Sequence, residues 1–460
     1  MSQHPESRGL AVPSRRLSRL WHLGRATGDL AAGIGVKGLI DLARTRAGGQ
    51  PARIQLSPEH TRRFTDRLAR MRGAVMKMGQ LMSMDGSDIF TPEAAEIMST
   101  LRERAEPMPL SQLAQVLETE YGTGWDKRFK RFEFTPIAAA SIGQVHRAET
   151  RDGRRLALKI QFPGVRESID SDIANLAMLG RSFGMAPKGL DIAPFLEEAR
   201  RQLHREADYD AEAEALESYR VWVGDDPDFH IPAVHRDLTT RNILAMDFAE
   251  GVPVDRLAGP EYRRAERDRA ATLLMRLTLR ELFEFGLVQT DPNFGNYLYD
   301  AASGRIVLLD FGATKPVAPE LVEQYRRLAA SAISGDRAGM RAASVALGYV
   351  GADDPDEHVE AMMDLLELAS EPLRHPGHYD FGLSDLFERV YHRGRALFHS
   401  GVFSTAPAPE TLFLHRKFMG SFMLSRRLRA RVELCEMAHA CLSSRERDIQ
   451  AVLVHRTDPV

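Results

Sequence analysis

Gln289-Thr290-Asp291-Pro292-Asn293-Phe294-Gly295-Asn296, followed by Leu308-Leu309-Asp310-Phe311-Gly312, is the stretch that decides the fold. Transfer of a phosphoryl group needs a carboxylate near the attacking group and oxygen ligands that hold Mg²⁺ against the phosphates. An Asp, an Asn five residues later and a second Asp supply that set. Asp310 lies 19 residues beyond Asp291, room for one loop and one hairpin. Tyr297 to Tyr299 and Arg305 to Leu309 flank the turn-forming Asp300 to Gly304 and read as that hairpin. In this reading Asp291 is the base or substrate-orienting group, and Asn296 and Asp310 ligate metal. Alone, Asp291-Pro292 is an ordinary turn and Asp310-Phe-Gly an ordinary strand end. Their order and spacing together point to chemistry.

Upstream, Leu156-Ala-Leu-Lys159-Ile places a lysine in an apolar strand, where an unpaired ammonium would be expensive. Lys159 therefore needs an anionic partner: nucleotide phosphates, together with a glutamate from the charged helix expected at about Ala193 to Arg220. Glu206 and Glu212 are the candidates. They lie six residues apart, so a regular helix rotates one about 240° from the other and both cannot easily face one lysine. Glu212 is favoured for Lys159, which leaves Glu206 and Asp208 for another cation. Ala138-Ala139-Ala140-Ser141-Ile-Gly143 stands where a kinase carries its glycine-rich phosphate loop. Alanine restricts the close backbone approach and positive φ that glycine permits, so the phosphates are expected to be held differently. The strand Ile243 to Phe248 leads to an expected hinge, where Met246, Asp247 and Phe248 are candidate nucleotide contacts.

Two segments imitate the catalytic set. His235-Arg-Asp237-Leu-Thr-Thr-Arg-Asn242 reproduces a protein-kinase catalytic loop, but Asp237 precedes Asp310 by 73 residues and a strand follows it at once. Its Asp and Asn read as turn residues. Asp380-Phe-Gly382 lacks a preceding apolar strand and reads as a loop.

With 460 residues the chain exceeds one ordinary core. A net charge of −3 gives no global reason to expect nucleic acid as a partner. Cys435 and Cys441 lack a second ligand pair and read as thiols of a reducing compartment. No apolar run reaches the ~18–20 residues of a membrane-spanning helix. The first 53 residues carry nine Lys or Arg against three acids. They fit a solvated or packed arm, a segment lying on anionic lipid, or a transit peptide. Residues 57 to 105 read as helical with a stripe of Met71, Met76, Met78, Met82 and Met84, usually core filler.

Together these residues resemble the UbiB or AarF family of atypical kinases, particularly its coenzyme Q branch. Lys77-Met-Gly-Gln80 is similar to that family's KxGQ signature, Ala138 to Gln144 to its alanine-rich loop and Glu206-Ala-Asp208 to its ExD motif. Gln289 to Asn296 is close to QTDPNWSN, with Phe294 and Gly295 in place of Trp and Ser. The resemblance implies an α+β, protein-kinase-like bilobal fold with a β-rich N-lobe, a mainly helical C-lobe and an added helical extension. The expected boundaries are 1–56 for the basic start, 57–125 for the extension, 126–250 and 251–445 for the lobes, and 446–460 for the tail. It also implies that Lys77 and Gln80 fold over the place of a protein substrate, with Lys77 near Glu206 and Asp208. Such occlusion suits an ATPase or small-molecule kinase, binding ATP or ADP with Mg²⁺, that supports ubiquinone synthesis. Implied partners are ubiquinone-synthesis enzymes or their lipid intermediates at a membrane surface. The implied location is the cytoplasm or the inner-membrane face of a bacterium, or the mitochondrial matrix face in a eukaryote. The same residues also fit a pseudokinase scaffold that binds nucleotide or lipid without turnover.

Overall fold

The computed structural model describes residues 107–183, 193–291, 293–351, 353–399 and 409–443. Lys77, Gln80, the basic start, the methionine stripe and the tail lie outside the described residues. The chain divides into two compact units, one running to Glu214 with Ala233–Phe248 added, the other comprising Ala215–Pro232 and the chain from Ala249.

The first unit is built on an antiparallel sheet in the order Phe129–Phe132, Gly143–Thr150, Arg155–Gln161, Ile243–Asp247, with Ala138–Ala139 pairing off Gly143–Thr150. Arg155–Gln161 has partners on both sides, and its Leu156, Leu158 and Ile160 are fully buried, as its near-continuous apolar run demands. Asp152-Gly153 makes the turn into it, with Gly153 at φ +89°. Gly143 is needed for close approach, because a Cβ there would lie 2.3 Å from the Ile160 carbonyl oxygen. The Leu110–Tyr121 helix packs Leu113 and Leu117 into the same core.

Two expectations change here. The run from Ala193 to Arg220 is two helices, Ala193–Glu206 and Tyr209–Val223, broken at Ala207-Asp208. The break is chemical: Asp208 accepts a hydrogen bond from the Ala211 N–H at 3.2 Å and caps the second helix. The strand expected at Ile231 to Val234 is instead Phe229–His230, with Val234 forming only an isolated bridge to Met246.

The second unit is mainly helical around a four-stranded sheet, ordered Phe229–His230, Arg305–Leu308, Tyr297–Asp300, Val252–Pro253. Leu287–Gln289 pairs with Thr314–Pro316. Asp380 does not sit in a plain loop: Tyr379–Asp380 pairs with Arg431–Val432, and Asp380 receives the Arg264 guanidinium at 2.8 Å. A β-rich unit and a helical unit give the expected α+β class. Among the described residues no helix is long and apolar enough to cross a membrane. Burial pushes the Cys441 thiol up to about 11, which keeps it protonated and unreactive.

Burial also sets an acid response. His415, on the Pro409–Arg427 helix, lies 2.5 Å from the Tyr349 hydroxyl, which meets the Tyr325 hydroxyl at 2.6 Å. Burial lowers His415 to about 4. The unfolded imidazole titrates near ~6.5, so as pH falls from there toward 4 the unfolded chain gains a proton that the fold refuses. Stability is therefore full above that window and drops by about 3 kcal/mol across it. His146, also lowered by burial, adds a loss of the same sign. Urea melts at a series of pH values should be less steep in His415→Gln than in the parent; equal slopes would refute this.

Candidate functional site

Asp291, Asn296 and Asp310 meet through two short antiparallel pairings in the second unit. In the hairpin, Tyr297 faces Leu308, and the Leu309 N–H donates to the Asn296 carbonyl at 3.0 Å. Asn296 therefore ends one residue from Asp310. In the other pairing Gln289 faces Thr314, and the Thr290 N–H donates to the Ala313 carbonyl at 3.0 Å. Continued by one step, that register sets Asp291 beside Gly312. The Asn293 side chain accepts the Gly295 N–H at 3.1 Å and shapes the single turn Phe294–Asn296 that delivers the amide.

The donors suit a magnesium ion. Asn296 Nδ2 donates to the Asp291 carbonyl at 3.4 Å, which turns Oδ1, an oxygen that could ligate a metal, the other way. Asp310 Oδ1 accepts the Gly312 N–H at 3.0 Å, fixing the carboxylate plane. Asp291 and Asn296 are buried. Among the described residues no group of three or more His, Cys, Asp or Glu gathers as a metal cage. One or two protein oxygens, completed by phosphates and water, is the usual arrangement for Mg²⁺.

Lys159 lies in the first unit. Lys159 Nζ donates to both Glu212 oxygens at 2.7 and 2.9 Å, with the Tyr209 ring 5.3 Å away. Glu212 thus pairs with Lys159 through both oxygens. Glu206 is buried at the end of its helix, and Asp208, besides capping, meets Arg166 at 3.5 Å. Ala138 and Ala139 are exposed, and Ala140 and Ser141 are half-buried, before Gly143–Thr150. Met246 is buried. Asp247 is engaged by the Ala233 N–H and His235, and Phe248 is stacked under Arg147 and Arg155.

His235, Asp237 and Asn242 of the imitation catalytic loop are engaged by partners within the first unit. Arg154 makes a bidentate pair with Asp237, both bonds at 3.0 Å, and a third contact to His235. Asn242 donates to Glu120 at 2.6 Å, and the Tyr121 hydroxyl donates to the Leu238 carbonyl. The Asp237 pair is largely solvent-exposed, so Asp237→Ala should cost at most about 1 kcal/mol. Nucleotide turnover should stay at the parent level, and loss of turnover with intact stability would return Asp237 to the chemistry.

Sequence reasoning missed a buried ion pair next to Tyr297, the residue after Asn296. Lys417 Nζ lies 2.7 Å from Glu281, with both side chains at 3% exposure or less. Lys417 also donates to the Tyr297 hydroxyl at 3.2 Å, and the Tyr219 hydroxyl donates to Glu281 at 3.3 Å. Glu281 opens a π-helical turn, Glu281–Phe285, at the end of the Arg264–Arg280 helix. Burial works against the Lys417 charge, but Glu281 and then Tyr297 outweigh it and raise its pKa. The π turn leaves no sequence signature, and Lys417 follows His415 and Arg416 like one more residue of a solvated helix face.

Residues 100–344 match the ABC1 atypical kinase-like domain. The chain is 37% identical over 433 residues to the protein named atypical kinase COQ8, mitochondrial, of Saccharomyces cerevisiae, covering 93% of this chain and 85% of that one. It is 36% identical over 436 residues to the atypical kinase COQ8B, mitochondrial, of Rattus norvegicus, covering 93% and 80%. Among solved structures, the Rv3197–erythromycin complex from Mycobacterium tuberculosis aligns with a TM-score of 0.57 at 23% identity, covering 81% of this chain and 93% of that one. That likeness shows a shared fold.

Proposed function

Because the chain belongs to the ABC1 atypical kinase-like family, we propose that Asp291, Asn296 and Asp310 carry out magnesium-assisted phosphoryl transfer from ATP. The chain is an atypical kinase of coenzyme Q biosynthesis. The observation that carries the site reading is the register that brings Asn296 between Asp291 and Asp310. Asn296 Oδ1 and the Asp310 carboxylate would hold the ion, which when bound would neutralise the phosphate charge. Asp291 orients the attacking hydroxyl or water and takes its proton. Lys159, held by Glu212, meets the α and β phosphates. Met246, Asp247 and Phe248 mark the strand end that receives the adenine.

The likeness of Lys77-Met-Gly-Gln80 and Glu206-Ala-Asp208 to the family's KxGQ and ExD motifs supports an acceptor that is water or a small molecule rather than a protein. The partners are ubiquinone-synthesis enzymes and their lipid intermediates at a membrane surface. That surface is the bacterial inner membrane or, in a eukaryote, the matrix face of the mitochondrial one. Quinone content in a deletion strain carrying Asp291→Asn tests catalysis against scaffolding. The proposal expects quinone to fall to the deletion level with protein abundance unchanged; parental quinone would show a scaffold without turnover.

A further inference from the structure

We infer that the buried Glu281–Lys417 pair is a positioning device that holds the phosphoryl-transfer residues in register, an inference that rests on the roles assigned to Asp291, Asn296 and Asp310. Directly or through Tyr219, the pair reaches a residue close in sequence to each of the three. Lys417 donates to Tyr297, the residue after Asn296, at 3.2 Å. Glu281 accepts from Tyr219, whose ring lies 4.6 Å from Phe311, the residue after Asp310. The Tyr219 hydroxyl also reaches the Leu287 carbonyl at 3.1 Å, four residues before Asp291. Directly at Tyr297, and through Tyr219 at Leu287 and Phe311, the ion pair thus bears on the strand before Asp291, the Asn296 turn and the Asp310 loop.

Stability alone is a poor reason to keep this pair. Removing two charges from water offsets most of their attraction, and apolar residues of equal volume often serve a fold as well or better. What apolar residues cannot supply is direction. The ammonium fixes where the Tyr297 hydroxyl lies, and the carboxylate fixes the Tyr219 hydroxyl. Lys417 sits on the Pro409–Arg427 helix, whose Arg416 also points a guanidinium at the Thr290 carbonyl, 3.4 Å away. Thr278 and Ser421, hydrogen-bonded to each other at 2.8 Å, fasten that helix to Arg264–Arg280 one turn from the pair. Glu281 and Lys417 are positioning residues: neither is placed on nucleotide or metal.

The test is magnesium-dependent ATP hydrolysis by the full chain, comparing the parent, Asp291→Asn, the double variant Glu281→Gln with Lys417→Met, and Tyr297→Phe. The double variant keeps volume and removes both charges, so its melting temperature should stay within about 5 °C of the parent. Its kcat should fall about 10- to 100-fold, as small misplacements of reacting groups do, while KM for ATP moves less than about threefold. Tyr297→Phe, which leaves the ion pair whole, should show the same split at a smaller size. A folded double variant with parental kcat overturns the positioning role; where the double variant does not fold, parental kcat in Tyr297→Phe does so. Equal hydrolysis by Asp291→Asn and the parent instead overturns the catalytic reading on which the inference rests. An inactive Asp291→Asn beside a fully active double variant removes the positioning role alone.

Discussion

Asp310→Asn should lose the Mg²⁺-dependent part of nucleotide-induced stabilisation while keeping the fold. The substitution preserves shape, and an amide oxygen accepts the Gly312 N–H as the carboxylate oxygen does at 3.0 Å. What it removes is one negative charge on a hard cation that binds through few protein oxygens. At nucleotide about 100-fold above its dissociation constant, binding should stabilise the parent by about 2.7 kcal/mol. For a domain of this size that is a rise of about 5–10 °C in Tm. In Asp310→Asn the Tm with nucleotide should be the same with magnesium as with a chelator. Equal magnesium-dependent shifts in both proteins would remove Asp310 from the metal site.

Glu212→Ala should be the most destabilising single change in the first unit. The carboxylate is fully buried, Lys159 is nearly so, and both Glu212 oxygens accept from the same ammonium. Truncating one partner of such a pair leaves the other charge buried and costs about 3–5 kcal/mol, a fall in Tm on the order of 10 °C. Removing both charges, as Lys159→Met with Glu212→Leu, should recover most of that stability without recovering nucleotide binding. Calorimetric melts of the two variants check the sign. A double variant as unstable as the single one would mean that the pair is worth more to the fold than an apolar replacement.

Most of the candidate site was legible because it is local. Asn296 and Asp310 meet across a hairpin whose turn, Asp300 to Gly304, is written in turn-forming residues, and Gly304 takes φ +71° there. Lys159 announced itself as a charge in an apolar strand; helical rotation allowed only one of Glu206 and Glu212 to face it, and Glu212 was favoured. That rotation assumed one continuous helix, whereas the chain breaks at Ala207-Asp208. Neither Gly nor Pro marks the break; the signal was Asp208, a capping residue taken only for a cation ligand. The likeness of His235 to Asn242 to a catalytic loop was set aside on spacing, and Arg154 now shows what Asp237 does. Glu281 and Lys417 were illegible for a different reason. They lie far apart in sequence, on helices whose patterning does not distinguish a buried charge from a solvated one, so only tertiary packing reveals the pair.

The central claim is that Asn296 and Asp310 hold one ion for a nucleotide. A crystal structure of the chain with magnesium and a non-hydrolysable ATP analogue tests it most directly. The account predicts Mg²⁺ about 2.0–2.1 Å from Asn296 Oδ1 and from an Asp310 oxygen, with the phosphates completing its shell. A metal ligated by other side chains, with Asn296 Oδ1 turned away from Asp310, would contradict it.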